Sequence, residues 1–265
     1  IMKTYTSHDV IVVGSGGAGL RAAIGAAQQG AKTLVVGRGK FNRSGATLLA
    51  GANISADIAC DGGSLHRMGI TSLNKHDTPE KFAADILHEG FYLGDSRLIE
   101  HYASTAPDRI AEMMAWGMPV RGTEGERGIS VFGSDMLDAL ARRARSLGVE
   151  KLENTQFVDL VSEGGTVQGI IALDILKGEL QYFPARAVVL ATGGAHGLFD
   201  LNTGGTDLLG EGPGAALRHG APLVDMEMIS FCPTVICHPE IYKGNLLPYI
   251  FASLGYARLL NKTGS

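Results

Sequence analysis

The chain is poor in cysteine: only Cys60, Cys232 and Cys237 occur, and no two of them form a C-x-x-C pair. An odd number without paired spacing excludes a disulfide framework and supplies no zinc or iron–sulfur ligand set, so no metal is expected and the thiols are read as reduced core residues. Basic charge is short as well. The 23 Lys and Arg are dispersed among 27 Asp and Glu, for a formal net charge of −4. No stripe of cations is available to neutralise a phosphate backbone, which excludes nucleic acid as a partner. No run approaches the ~18–20 apolar residues of a spanning helix, and the N-terminus lacks a charged-then-apolar leader pattern. Direct membrane insertion is thereby excluded, and a cytoplasmic protein is expected, with association through a membrane-bound partner left open. Ile1 ahead of Met2 reads as a remnant in front of a native start. Proline (9) and aromatics (6%) are scarce, whereas glycine reaches 37 of 265 residues and hydrophobic residues 45%. Such a composition suits an α/β domain of enzyme size whose main chain approaches something closely at many places, a nucleotide being one candidate.

The order of elements supports that class. Residues 9–13, DVIVV, form a β-branched run; 18–29 are Ala-rich and helix-compatible; Gly30 supplies a stop; and 33–36, TLVV, read as a second strand. This is a βαβ unit of a parallel sheet. From Phe41 to Asn74 no clean period exists, and a long irregular segment is expected. Helices are expected over 79–93, over 96–115 and over 134–147, the last capped by Ser134 and Asp135, with a glycine-containing excursion over 120–132. Strands over 155–162, 166–175 and 180–184, with Glu163, Gly164 and Gly165 turning between the first two, predict an antiparallel meander appended to the main sheet. Residues 186–191 read as a further, buried strand running into Thr192, Gly193 and Gly194, and 212–219 begin a helix.

The turn after the first strand carries the chemistry. Gly14, Gly16 and Gly19 stand in G-x-G-x-x-G spacing between a strand and a helix. Gly14 permits the tight turn, Gly16 lets the backbone approach a pyrophosphate, and Gly19 lets helix and sheet pack closely. With Ser15, Gly17 and Ala18 they present a helix N-terminus to an anion. NAD and FAD are not distinguished by this motif. The acid expected about 20 residues on, at the end of the second strand, is replaced by Gly37 and then Arg38.

Several blocks taken in order resemble the flavoprotein family of fumarate reductase, succinate dehydrogenase, L-aspartate oxidase and adenylylsulfate reductase. They are G-S-G-G-A-G, N-R-S-G-A-T-L-L-A-G-A-N-I, H-D-T-P-E-K-F-A-A-D-I-L-H-E-G-F-Y-L-G-D, L-A-T-G-G-A and G-E-G-P-G-A-A-L-R-H-G-A-P-L-V-D-M-E-M. The resemblance implies a Rossmann-like FAD-binding domain and FAD as cofactor. It places Ser44, Gly45, Ala46 and Thr47, then Ala50, Gly51, Ala52 and Asn53, along the flavin, where small residues leave room for a flat ring and bare peptide groups. It also assigns Val158, Ala191, Thr192 and Gly193 to the cofactor, and Glu211 to its adenosine end.

The departures from the family matter as much. The family's R-S-H-T histidine, which carries FAD covalently in succinate dehydrogenase and many fumarate reductases, corresponds to Gly45, so FAD is expected to be non-covalent. The family's Q-F-H-P-T reads Ser230-Phe231-Cys232-Pro233-Thr234, and its T-E-x-x-R-G-E-G-G-x-L-L-N aligns with Tyr249 to Asn261. Cys232 and Thr234 thus mark the substrate side, and a thiol does not replace an imidazole toward a carboxylate. A substrate other than a standard C4 dicarboxylate is expected. His219 and His238 receive no role.

The reading is therefore a FAD-binding domain over 1–228 with a parallel sheet and appended meander, followed by the beginning of a capping domain over 229–265. The ending N-K-T-G-S resembles the family's N-x-x-G-E-R-F, which implies a fragment of a longer oxidoreductase without turnover of its own. A small-molecule substrate and an electron-transfer partner, iron–sulfur or other, are expected for the whole. Two other readings remain: an NAD(P)-dependent dehydrogenase with Arg38 on a 2′-phosphate, and a non-catalytic FAD-binding module.

Overall fold

Strand β1 (Lys3–Thr4) and strand β2 (His8–Val13) open the chain, and helix α1 (Gly17–Gln28) crosses to strand β3 (Thr33–Val36). In the computed structural model the described residues are 3–56, 63–70, 77–124, 127–205, 207–231 and 235–247, together with 255, 258, 260 and 263. Strand β2 is buried on both faces. Ile11 and Val13 point into one cluster with Leu34 and Val36 of β3, while Val12 and Val35 point into another with Leu20, Ala23 and Ile24 of α1. A strand covered on both sides has no use for polar alternation, which is why DVIVV is continuously apolar after its first residue.

Past a long insertion, helix α6 (Gly133–Ser146) packs beside α1 and leads to strand β7 (Glu150–Leu152), which pairs in parallel with β3. Strands β8 (Thr155–Glu163), β9 (Thr166–Asp174) and β10 (Glu179–Leu190) follow as an antiparallel meander. Gly164 and Gly165, at φ 57° and 77°, make the two-residue turn between β8 and β9, as such hairpins require of both central positions. The main sheet runs β7-β3-β2-β10-β9-β8, with β1 beside β10. Because β3 and β10 flank β2 on opposite sides, the chain reverses its direction of build at the carboxyl end of β2, where α/β sheets open a crevice.

Two expectations about β10 are corrected. The runs 180–184 and 186–191 are one strand, not two: its first half pairs antiparallel with β9, down to Pro184 opposite Gly169, and its second half pairs parallel with β2 from Ala185 opposite His8. Pro184, lacking an N–H, sits where one ladder hands over to the other. Nor is the second half buried. Arg186, Ala187 and Val189 are exposed, because β9 stops at the handover and no strand lies on that side among the described residues.

The insertion is more ordered than its sequence suggests. Between Phe41 and Asn74 lie helix α2 (Ala46–Leu49), strand β4 (Gly51–Ser55) and helix α3 (Ser64–Arg67). The excursion over 120–132 is a pair of strands, β5 (Gly122–Glu124) and β6 (Gly128–Phe132), and β6 pairs antiparallel with β4 in a second sheet. Strand β4 comes from long-range pairing with β6, so a local period does not betray it. Helix α4 (Pro79–Glu89) ends four residues earlier than expected, since Phe91 and Tyr92 turn into left-handed backbone and Tyr92 N–H closes on Leu87 O at 2.8 Å. Helix α5 (Ser96–Ala115) is as expected. Ser134 and Asp135 do not cap α6; its N-cap is Phe132, with no side-chain cap, and the Gly133 N–H instead donates to Ala50 O at 2.7 Å. Helix α7 (Glu211–Arg218) packs through Ala215 over the face formed by Phe157, Ile170 and Phe183.

Glu153, between β7 and β8, ties these parts together. Its carboxylate accepts the Phe41 N–H at 3.0 Å and faces Lys151 and Lys40 at 3.0 and 3.4 Å. The Phe41 N–H first, and then the two ammonium groups, lower its pKa from 4.5 to about 2. A carboxylate with a depressed folded value stabilises fully above its unfolded value, and that stabilisation drains away as pH falls through the folded value. Glu153→Gln should therefore cost roughly 1–2 kcal/mol at pH 7. Urea midpoints of the two proteins should converge as pH is lowered from about 4.5 toward 2; a gap that stays constant over that range would remove the carboxylate from this role.

Candidate functional site

A cleft of about 430 Å³ opens at the carboxyl ends of β2, β3 and β10. Its floor is Val13, Val36, Leu190 and Ala191, the last residues of three adjacent strands and the residue after β10. Main chain meets main chain here. Gly14 N–H donates to Val36 O and Ala191 N–H to Val13 O, both at 2.8 Å. A Cβ on Gly14 would lie 2.2 Å from Ala191 O, and one on Gly19 would lie 1.9 Å from Gly14 O. Both glycines are required by the protein's own packing. Gly16 differs: a Cβ there would meet only Thr47 Oγ1, at 3.5 Å, and would otherwise project into the cleft. Its smallness serves whatever occupies that space.

The α1 N-terminus faces the same space. Gly16 is its N-cap and has no side chain to cap it, and no acid stands in its first turn, so the partial positive charge of the helix end is left uncompensated by the helix itself. The Gly17 N–H donates to Thr47 Oγ1 at 3.1 Å, which draws the 44–47 segment against the turn. Ser44, Gly45, Ala46 and Thr47 form one small-residue wall.

A polar cluster closes another end. Arg38 lies 3.6 Å from Glu211 and donates to Asp207 O at 3.3 Å. Gln156 Nε2 donates to Glu211 Oε1 at 3.2 Å, and the Leu209 N–H to Oε2 at 3.3 Å. The carboxylate is thus fixed at the first residue of α7, where a helix N-terminus favours an anion. The far end of α7 is tied to β8 by Arg218, which reaches both oxygens of Asp159 at 3.2 Å, and by His219, 2.7 Å from Ser162 Oγ. His219 therefore fastens the helix from outside the cleft.

Of the residues singled out from sequence, Gly14, Ser15, Gly16, Gly17, Ala18, Gly37, Arg38, Ser44 to Thr47, Ala191, Thr192, Gly193 and Glu211 line this one cleft. Gly37 has its own reason to be glycine, since a Cβ there would meet Ser15 Oγ at 2.9 Å. Gly19 lies behind the lining, and Ala50 and Gly51 lie outside it: Ala50 holds the start of α6 through its carbonyl, and Gly51 begins β4 opposite Phe132. Ala52 and Asn53 follow within β4. Val158 is exposed and outside the cleft, because the ladder between β8 and β9 shifts register between Phe157 and Asp159 and throws Val158 outward. Thr155, Gln156 and Phe157 take the place expected for it. Asp207, Leu208, Gly212, Pro213 and Ala216 were missed as well; only their closeness in sequence to Glu211 could have drawn attention to them. Cys60, Cys232 and Thr234 lie outside the described residues, while Cys237 is exposed and not the core thiol expected of it.

The features match a long ligand with an anionic middle, a ribose-like polar end and a flat ring: open helix N–H groups, a fixed carboxylate with an amide and a guanidinium, and a wall of small side chains. Among the described residues no group of His, Cys, Asp and Glu could hold a metal, and no helix is long and apolar enough to cross a membrane.

A family profile described as FAD binding domain matches residues 9–265. The fumarate reductase flavoprotein subunit of Escherichia coli is 29% identical over 88% of this chain, and the succinate dehydrogenase flavoprotein subunit of Rickettsia bellii is 32% identical over 88%. The chain spans 39% and 41% of their lengths. The FrdA chain of a mutant E. coli quinol fumarate reductase superposes over 100% of this chain and 45% of its own, with a TM-score of 0.83 and 30% identity.

The wall against α6 offers a direct check. A Cβ on Gly133 would lie 1.7 Å from Thr47 O, whereas one on Gly25 in α1 would meet only Arg21 Nη1 at 3.6 Å. Gly133→Ala should destabilise by ~1–3 kcal/mol through overpacking, and Gly25→Ala should stabilise by ~0.5–1 kcal/mol as a helical exchange. A Gly133→Ala midpoint at or above that of the unsubstituted protein would refute the close contact.

Proposed function

The chain belongs to the FAD binding domain family, and from that premise we propose that it holds FAD non-covalently in the cleft at the ends of β2, β3 and β10, as the cofactor-binding part of a flavoprotein oxidoreductase resembling fumarate reductase and succinate dehydrogenase. The observation that carries the proposal is the α1 N-terminus, with glycine at its N-cap and no acid in its first turn, opening onto a glycine-lined cleft whose other end holds a fixed carboxylate. Gly14 to Ala18 would take the diphosphate through main-chain N–H groups. Glu211, oriented by Gln156 and Arg38, would accept from the ribose hydroxyls in place of the acid missing at Gly37. Ser44 to Thr47, with Thr192 and Gly193, would line the flavin portion. FAD, when bound, supplies hydride transfer to or from a substrate carbon, and the chain's own residues supply grip, orientation and electrostatics.

Gly45 bears on the mode of attachment. It has no side chain to bond the flavin, and its φ of 82° disfavours any other residue there. Residues 1–228 are assigned to this cofactor unit and 229–265 to the beginning of a unit facing the substrate. For the whole protein the altered positions Cys232, Tyr249 and Ile250 favour a substrate other than a standard C4 dicarboxylate, and the relatives' description as subunits favours an electron-transfer partner, through which membrane association would arise.

An NADP-dependent reading would need Arg38 for a 2′-phosphate. Its guanidinium is committed to Glu211 and to the Asp207 carbonyl, and a carboxylate at that distance repels a second anion. FAD, without a 2′-phosphate, meets no such conflict.

The purified chain should be yellow or take up FAD in titration, and acid precipitation should release all of the flavin to the supernatant. Glu211→Ala should weaken FAD binding about tenfold or more, the loss of a charge-assisted contact. A chain that neither contains nor takes up FAD would end this reading; flavin remaining in the protein pellet would end its non-covalent part.

A further inference from the structure

We propose that Asp138 of α6 is a positioning residue for the bound cofactor, acting through Asn42 and Arg43 on the wall formed by Ser44 to Thr47. The proposal rests on the FAD reading above.

Between the end of β3 and the start of α2 the chain has no helix or strand, yet it must present four consecutive wall residues at defined positions. Local structure alone does not hold it. Phe41 anchors one side, buried against α1 and α6, with Lys151 and Arg145 over its ring at 5.3 and 5.7 Å. Asn42 comes next, buried to 7% exposure and in left-handed backbone with φ 54°, a conformation that asparagine tolerates better than most residues. Its Nδ2 donates to Asp138 Oδ1 at 2.5 Å and its Oδ1 accepts from Arg145 at 3.4 Å. Arg43 then wraps the same carboxylate, Nη1 to Oδ1 at 2.7 Å and Nη2 to Oδ2 at 3.4 Å, while Nη1 also reaches the Asn42 carbonyl at 2.8 Å.

One carboxylate thus accepts from two successive residues, and the residue after them is the first of the wall. Asp138, Asn42 and Arg43 do not line the cleft. Their effect on a ligand must pass through the backbone of Ser44 to Thr47. Arg43 holds the Asp138 carboxyl below its ordinary range, so the clamp stays ionised at neutral pH. A cofactor with no covalent tether is retained only by complementary geometry, and a wall fixed in advance spares the ordering cost that a mobile loop would add to binding. Charge-assisted, two-pronged contacts are the strong and directional ones, and this clamp has one on the loop that needs it.

The test uses the 265-residue chain. FAD affinity is read from quenching of flavin fluorescence, and the bound geometry from visible circular dichroism at saturating FAD. Asp138→Asn should raise the FAD dissociation constant about tenfold, alter the circular dichroism of the saturated protein and lower the unfolding midpoint of the cofactor-free protein no more than Glu153→Gln does. Arg43→Gln should weaken binding similarly, and the double variant should be no worse than either single one, as for two halves of one clamp. Three results would overturn the assignment: an unaltered dissociation constant, an altered constant with an unchanged dichroism spectrum, or additive effects of the two substitutions. If the unsubstituted chain takes up no FAD, the proposed function fails and takes this assignment with it; uptake by the unsubstituted chain and equal uptake by the variant removes the assignment alone.

Discussion

The meeting of main chain with main chain at the ends of β2, β3 and β10 sets everything around it. Gly14 N–H on Val36 O and Ala191 N–H on Val13 O stitch three chain segments into one edge, and side chains are excluded from that seam because a Cβ at Gly14 or Gly19 would fall 2.2 Å or 1.9 Å from a carbonyl oxygen. Close contact at this point lets α1 start directly above the sheet with its N–H groups aimed outward. The cleft is therefore the shape left over when backbone packs as tightly as it can.

Around the seam, the walls are built by partners distant in sequence. Thr47 is drawn in by the Gly17 N–H, α2 is pressed against Gly133, and the loop before it is clamped by Glu153 and Asp138. The opposite rim is α7, tied at one end by Gln156 and Arg38 to Glu211 and at the other by Arg218 to Asp159. On the wall of Ser44 to Thr47, small residues face the cleft while the Arg43–Asp138 pair stands behind them. On the 44–47 side that division keeps the lining free of bulk and leaves the burden of rigidity to Glu153, Asp138, Asn42 and Arg43, which lie outside the lining.

How much was legible in the sequence follows from the range of the interactions. The βαβ unit, the glycine turn and the β8–β9 hairpin depend on near neighbours, and their residues stand where periodicity and turn chemistry put them. Strand β4 depends on pairing with β6 across about eighty residues, and a stretch rich in Gly, Ala, Ser and Asn carries no local trace of it. Gln156 in place of Val158 is a matter of one register shift, a feature decided by the neighbouring strand. The cofactor family was legible because its blocks are motifs; Asn42, Arg43 and Asp138 were not read as a unit because an asparagine, an arginine and an aspartate separated by ~95 residues form no motif until the fold joins them.

The half-paired strand β10 adds one further consequence. From Ala185 to Leu190, β2 is the one strand paired with it among the described residues, so that among them its amide protons divide into those held in the ladder and those outside it. The cleft floor at Leu190 and Ala191 continues that ladder, which closes with the Ala191 N–H on Val13 O. Loosening of β2 would thus reach the floor of the cleft directly, through the ladder that the two strands share.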